Sequence, residues 1–147
     1  MDTVDAGSVA AFAHLSALPA RQKTVEALYA TAHWLLTRGR PEDAARVFRI
    51  QLRVAPRDER AWLGLGECHE RRDQLLVAAE LYGTGSVLAG TPRSGSVRCM
   101  LARARILAAL GRTSDVERTL DHAQRAAAEQ ENEELQELVA HERRRLS

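Results

Sequence analysis

The chain has 147 residues, 45% of them hydrophobic and 28% charged, with a formal net charge of +1. That length suits one domain with a real core, and the near-neutral balance gives no bulk field to recruit nucleic acid or an anionic membrane. The only cysteines are Cys68 and Cys99, too few for a disulfide-built scaffold.

Residues 1–20 read as an N-terminal helix whose apolar face is Phe12, Leu15 and Leu18, with Pro19 at its end. Such a helix suits two tasks, a solvation cap on the next helix pair or a dimer contact. The segment carries Asp2 and Asp5 in place of a basic run, and His14 and Ser16 interrupt its apolar stretch, which argues against a secretory signal. No window is long and apolar enough to span a bilayer. The expected location is the cytoplasm.

The next segment, 24–57, reads as a helix pair. Helix A starts near Thr24 and stops at Gly39; helix B opens at Pro41, followed by Glu42 and Asp43. Proline suits a first helical position and acidic residues suit a helix N-terminus. A second pair, 58–91, begins with Asp58 as an N-cap. It carries Trp62-x-x-Leu65-Gly66-x-x-His69 and then Ala78-x-x-x-Tyr82, close to the tetratricopeptide pattern. Thirty-four residues earlier the matching positions are Leu28, Ala32, Ala44 and Phe48. Gly90–Ser96 is a loop rich in breakers. A third pair, 97–130, has Ala104, Val116 and Leu120 at the matching places, and Ser114 with Glu117 forms a capping-box pattern. Residues 132–146 read as a C-terminal helix starting at Asn132, with Leu135, Leu138 and Val139 on one face. The fold expected is all-α: three tetratricopeptide-like helix–turn–helix repeats, an N-terminal helix and a C-terminal capping helix in a single domain.

Catalytic patterns are missing. Gly64-Leu-Gly66 and Gly83-Thr-Gly85 fall inside helices with no strand before them, so neither reads as a dinucleotide loop. Cys68, His69 and Cys99 match no structural zinc spacing. No aromatic residues alternate with basic ones as a single-strand binder requires. The expectation is a non-enzyme with no cofactor and no metal.

A second stripe runs one residue past the core stripe of each helix A: Tyr29, His33, Leu36; then Leu63, Glu67, Glu70; then Leu101, Arg105, Ala108. In a repeat solenoid these positions face the concave surface. A partly exposed apolar floor there, made by Tyr29, Leu36, Leu63 and Leu101, marks a protein-binding site. Phe48 is expected to brace it from helix B, with Arg60, Glu67, Glu70 and Arg105 around it orienting a bound backbone.

The stretch Thr24-x-Glu26-x-Leu28-Tyr29-x-x-Ala32, then Gly39-x-x-Glu42-Asp43-Ala44-x-x-Val47-Phe48, resembles the first repeat of the class II chaperones of bacterial type III secretion systems. Leu63-Gly64-Leu65-Gly66-x-Cys68 is similar to their second repeat, and Tyr82-x-x-Gly85 with Pro92-Arg93 to the segment beyond. The resemblance covers about residues 22–125. His33, Leu36 and Pro41 stand where that family carries aromatics. It implies a cytoplasmic chaperone that holds translocator proteins before export, gripping an extended, proline-containing segment in the groove, and dimerising through N-terminal helices. The alternatives are a generic tetratricopeptide adaptor between two folded proteins, or a subunit whose catalytic partner is a separate chain.

Overall fold

Where one helix hands over to the next, the chain uses one device repeatedly. Gly39, Asp73, Gly111 and Glu131 all have φ between 52° and 73°. After each, a backbone N–H reaches back over the helix just ended: Arg40 to the Leu35 carbonyl, Gln74 to His69, Arg112 to Leu107 and Asn132 to Ala127. This is the left-handed stop that satisfies orphan carbonyls at a helix C-terminus. Gly39 and Gly111 have open space around them, so only the backbone angle calls for glycine there.

The structure, a computed structural model, describes residues 18–147. Seven α-helices account for most of them: α1 (Ala20–Thr37), α2 (Pro41–Val54), α3 (Glu59–Glu70), α4 (Leu75–Leu88), α5 (Val97–Ala109), α6 (Thr113–Glu129) and α7 (Glu133–Leu146). Among the described residues there is no sheet, only an isolated bridge between Thr91 and Gly95. Phe12 and Leu15 lie outside the described residues; Leu18 is half-buried.

Helix starts divide into two kinds. The odd-numbered helices after the first are capped by side chains: Asp58 accepts from the Arg60 N–H, Ser96 from Cys99 and Asn132 from Leu135. The even-numbered helices α2, α4 and α6 come directly out of the left-handed turn and have no side-chain cap. The Ser114–Glu117 capping box is therefore not formed: α6 starts at Thr113, and Ser114 is already helical. The first helix also differs from expectation. It begins at Ala20 directly after Pro19, and Thr24 lies within it, its hydroxyl bonded to the Ala20 carbonyl.

The odd helices stack on one another, α1 on α3, α3 on α5 and α5 on α7, whereas α2, α4 and α6 touch only their chain neighbours. One side of the array is thus built from α1, α3, α5 and α7, the other from α2, α4 and α6. Glycines set the spacing. A Cβ on Gly64 would stand 2.1 Å from the Phe48 ring, and one on Gly66 would stand 2.2 Å from the Tyr82 ring. The Gly64-Leu-Gly66 stretch of α3 therefore receives one aromatic ring from α2 and one from α4. Gly85 does the same for Trp62, whose indole N–H donates to the Pro56 carbonyl at 2.9 Å. The core forms two large clusters, one across α1–α3 and one across α5–α7, joined by Ala78, Ala79, Tyr82 and Ile106.

Candidate protein-binding groove

The stacked face of α1, α3, α5 and α7 carries two ionic straps. In the first, Arg60 of α3 reaches Glu26 of α1 with two hydrogen bonds, 2.8 and 3.1 Å, and also holds its own cap residue Asp58 at 2.9 Å. Buried Gln51 donates to the same Asp58 carboxylate at 3.0 Å. The Arg60 guanidinium lies 4.4 Å from the centre of the Tyr29 ring, a cation–π contact. Tyr29 is itself 5.9 Å from the His33 ring.

In the second strap, Arg105 of α5 reaches Glu70 of α3 with two hydrogen bonds of 2.8 and 2.9 Å. The Tyr82 hydroxyl donates to the same carboxylate from α4. Burial acts against the Glu70 charge, but hydrogen bonds from Arg105 and Tyr82 outweigh it and hold the pKa below the usual carboxylate value. Asp58 behaves alike: burial raises, and the bonds from Arg60 and Gln51 bring the net shift down. Burial and the Glu70 carboxylate both push the Tyr82 phenol up. Glu67 pairs with Arg71 at 2.8 Å, and Arg71 donates to the Leu36 carbonyl at 2.7 Å.

The floor is narrower than the sequence suggests. Tyr29 and Leu63 are half-buried as expected, but Leu36 and Leu101 are buried and His33 is exposed. Leu36 turns into the α1–α3 cluster, and Leu101 into the α5–α7 cluster. Phe48 is fully buried, its ring occupying the space left by Gly64; it is core and does not border the groove. Arg60, Glu67, Glu70 and Arg105 all lie half-buried on this face, but each is engaged in a pair, and the Arg60–Glu26 and Arg105–Glu70 pairs fix the spacing of the odd helices before any ligand arrives. Beyond Leu63 the face deepens into a cavity of about 250 Å³ lined by Leu101, Ala102, Arg105, Leu138 and Glu142.

Sequence reasoning missed Glu26, the Tyr82 hydroxyl and the contribution of Leu138 and Glu142. A signal existed for the first: Glu26 and Arg60 are 34 residues apart, just as Glu70 and Arg105 are 35 apart. Opposite charges one repeat apart meet on adjacent odd helices. Cys68 and Cys99 are free and buried, with burial pushing both thiols up to about 11. Neither is a thiolate at neutral pH, and the described residues hold no cluster of three metal-ligating side chains.

The tetratricopeptide repeat model matches residues 25–68. No curated protein matches the chain by sequence. Among solved structures, the chain is similar to the type III secretion translocator chaperone SycD of Yersinia enterocolitica. The two are 29% identical, with a TM-score of 0.71 over 85% of this chain and 89% of that one. This chain has the tetratricopeptide fold of the type III translocator chaperones. SycD has also been solved with a peptide of the translocator YopD, a structure matched at 29% identity, a TM-score of 0.66, and 84% and 92% coverage. A type III secretion complex from Aeromonas hydrophila is similar at 27% identity, a TM-score of 0.68, and 84% and 78% coverage. The all-α repeat architecture expected from the sequence is thus the observed one, and SycD, which it resembles, is a translocator chaperone.

Proposed function

We propose that the chain is a non-enzymatic secretion chaperone that binds translocator proteins in the bacterial cytoplasm and holds them before export. The observation that carries this is the likeness to SycD over nearly the whole described chain, together with the solved SycD–YopD peptide complex. No helix of the described residues is long and apolar enough to cross a membrane.

The face of α1, α3, α5 and α7 supplies the physical means. An extended cargo segment lies along it, its apolar side chains on Tyr29 and Leu63 and in the cavity beside Leu101. Spaced prolines suit such a segment, because a pre-stiffened strand loses less entropy on docking. The ion pairs of Arg60 and Arg105 pre-form the face, which removes part of the ordering cost from the chaperone side. The cargo still orders on binding, so affinity per area is modest. In this proposal the repeats occupy residues 24–57, 58–91 and 97–130, with 132–146 as the closing helix of one domain.

The test is co-purification of the full chain with candidate translocators, then titration of the bound region as a labelled peptide. Binding that saturates at one peptide per chain, and weakens when Leu63 is replaced by Asp, is the expected result. A chain that captures only folded proteins sinks the chaperone reading in favour of a generic adaptor.

A further inference from the structure

Two side-chain oxygens among the described residues are buried and meet no hydrogen-bond donor: Gln51 Oε1 and Glu142 Oε2. Gln51 sits in the packed core, where its amide N–H already holds Asp58. Glu142 is different, because it borders a cavity. It lies on α7 with its side chain 13% exposed, and its Oε1 accepts from Arg145 at 2.8 Å. The Arg145 side chain is 55% exposed, so the carboxylate is held from the solvent side only. A buried acceptor left unmet costs the desolvation of that atom, and such atoms are few in folded proteins.

The cavity is the one of about 250 Å³ at the α5–α7 end of the groove. Its apolar walls are Leu63 of α3, Leu101 and Ala102 of α5, and Leu138 of α7. Its polar border is Glu142 and two arginines, Arg98 and Arg105. Arg105 is committed to Glu70 at 2.8 Å. Arg98 is held loosely, 3.7 Å from Glu59 and 3.6 Å from Glu134. No aromatic residue lines this cavity, although Tyr29 stands in the other half of the groove.

We propose that this cavity is a selective subsite for an aromatic cargo side chain that carries a hydrogen-bond donor, tyrosine or tryptophan. It rests on the chaperone reading for its natural occupant. An aliphatic or phenylalanine side chain fills the apolar walls but leaves Oε2 unmet and covers it further. A lysine brings its ammonium between Arg98 and Arg105, toward a carboxylate whose charge Arg145 already answers. An aspartate or glutamate sets a second carboxylate beside Glu142, and close like charges disfavour one another. Serine and threonine donate but leave the leucine walls without contact. A phenol or indole meets every wall: its ring packs on the leucines, and its O–H or N–H donates to Glu142. Its face also attracts the loosely held Arg98 guanidinium. The last torsion of a glutamate is soft, so the carboxylate turns Oε2 onto the donor without moving α7.

The test is a methyl NMR titration of the full chain with the N-acetyl amides of tyrosine, tryptophan, phenylalanine and lysine. The tyrosine and tryptophan probes are expected to shift the methyls of Leu63, Leu101 and Leu138. They should bind about tenfold more tightly than the phenylalanine probe, the scale of a hydrogen bond to a charged acceptor. Glu142→Leu should erase that preference, and Glu142→Gln, which keeps an acceptor oxygen, should retain most of it. Circular dichroism checks that both variants fold. A phenylalanine probe that binds as tightly as tyrosine overturns the proposal, as does a lysine probe that binds best. So do shifts confined to other methyls, no shift at the solubility limit of any probe, or a folded Glu142→Leu variant that keeps the preference. The probes contain no translocator sequence, so the outcome is independent of co-purification. Loss of all translocator capture would strike the chaperone reading and leave the cavity's selectivity standing; a failed titration would strike the subsite alone.

Discussion

The two straps across the groove use the same pair of charges for different ends. Each joins an arginine on one odd helix to a glutamate on the helix before it, one repeat earlier. In the first, the aromatic partner is Tyr29, on the groove side beneath Arg60. In the second it is Tyr82, which comes from α4, packs its ring on Gly66 and presents only its hydroxyl to Glu70. Tyr29 is half-buried and Tyr82 is 2% exposed. The first strap thus leaves a large aromatic surface on the side proposed for cargo. The second locks α3, α4 and α5 together and offers no ring. Identical ion-pair chemistry therefore leaves an aromatic ring half-exposed in one half of the groove and makes a structural joint in the other.

The largest effect is expected at the joint. Gly66→Leu forces a side chain into the space of the Tyr82 ring, where even a Cβ would approach to 2.2 Å. Overpacking of this kind costs about 1–3 kcal/mol and sometimes more, and should appear as a lower urea midpoint. An unchanged midpoint would break the contrast, since the second strap would then have slack.

At the first strap the expected loss is in binding. Tyr29→Ala should weaken a translocator peptide by about 2 kcal/mol, the scale of an interface hot spot, with helicity retained. Arg60 keeps Glu26 and Asp58 in that variant, so the helix spacing survives. Retained affinity would mean the cargo avoids this half, while an unfolded variant would make Tyr29 a joint like Tyr82.

Tyr82→Phe is a finer cut. It keeps the ring on Gly66 and removes only the hydroxyl donor to Glu70. The cost should be about 1 kcal/mol, the net worth of one hydrogen bond, with peptide affinity unchanged. A loss of affinity at constant stability would place the second strap in recognition as well.

Much of this is legible in the sequence, and where it is not the reasons are physical. Helical periodicity and breakers give α2 to within a residue, because Pro41 and Pro56 bracket it. Asp58 and Asn132 are recognisable as caps because a short polar side chain precedes an apolar run at each. Ser114 looks the same but fails, since the turn at Gly111 has already set the helix going by Thr113. Periodicity puts Leu36 and Leu101 one residue past the core stripe, but it cannot say how closely the next helix approaches, and close approach buries both. Phe48 reads as a groove residue for a related reason: the space it fills is made by Gly64, distant in sequence and visible only once α2 and α3 are packed. The straps escape notice because Arg60, Glu70 and Arg105 read as groups around the floor that orient a bound backbone, and the partner of each is one repeat away.

Acid separates the halves most gently. Asp58 in the first strap and Glu70 in the second both titrate below their ordinary values. A carboxylate with a lowered folded-state pKa stabilises the fold fully above its unfolded pKa, and that contribution fades as pH falls through the folded value. Stability should therefore be flat from pH 7 to about 5 and decline below about 4, where unfolded Asp and Glu begin to bind protons that the folded chain refuses. Glu70→Gln keeps an acceptor for Tyr82 but removes the charge facing Arg105, so it should flatten part of the slope. Arg105 is 42% exposed on its side chain, and pairing with so solvated a partner is worth less than about 1 kcal/mol. The comparison is Asp58→Asn. It takes a charge from Arg60 and from Gln51 together while leaving Glu26 in place, and it should flatten the remainder. Urea midpoints of the wild type and both variants from pH 7 down to 3 measure this. Two variants that each lose a part of the slope, with losses that add, are expected from straps that do not share a residue. A Glu70→Gln variant that keeps the full slope would mean the second joint is held by the Tyr82 ring alone, its ion pair contributing nothing.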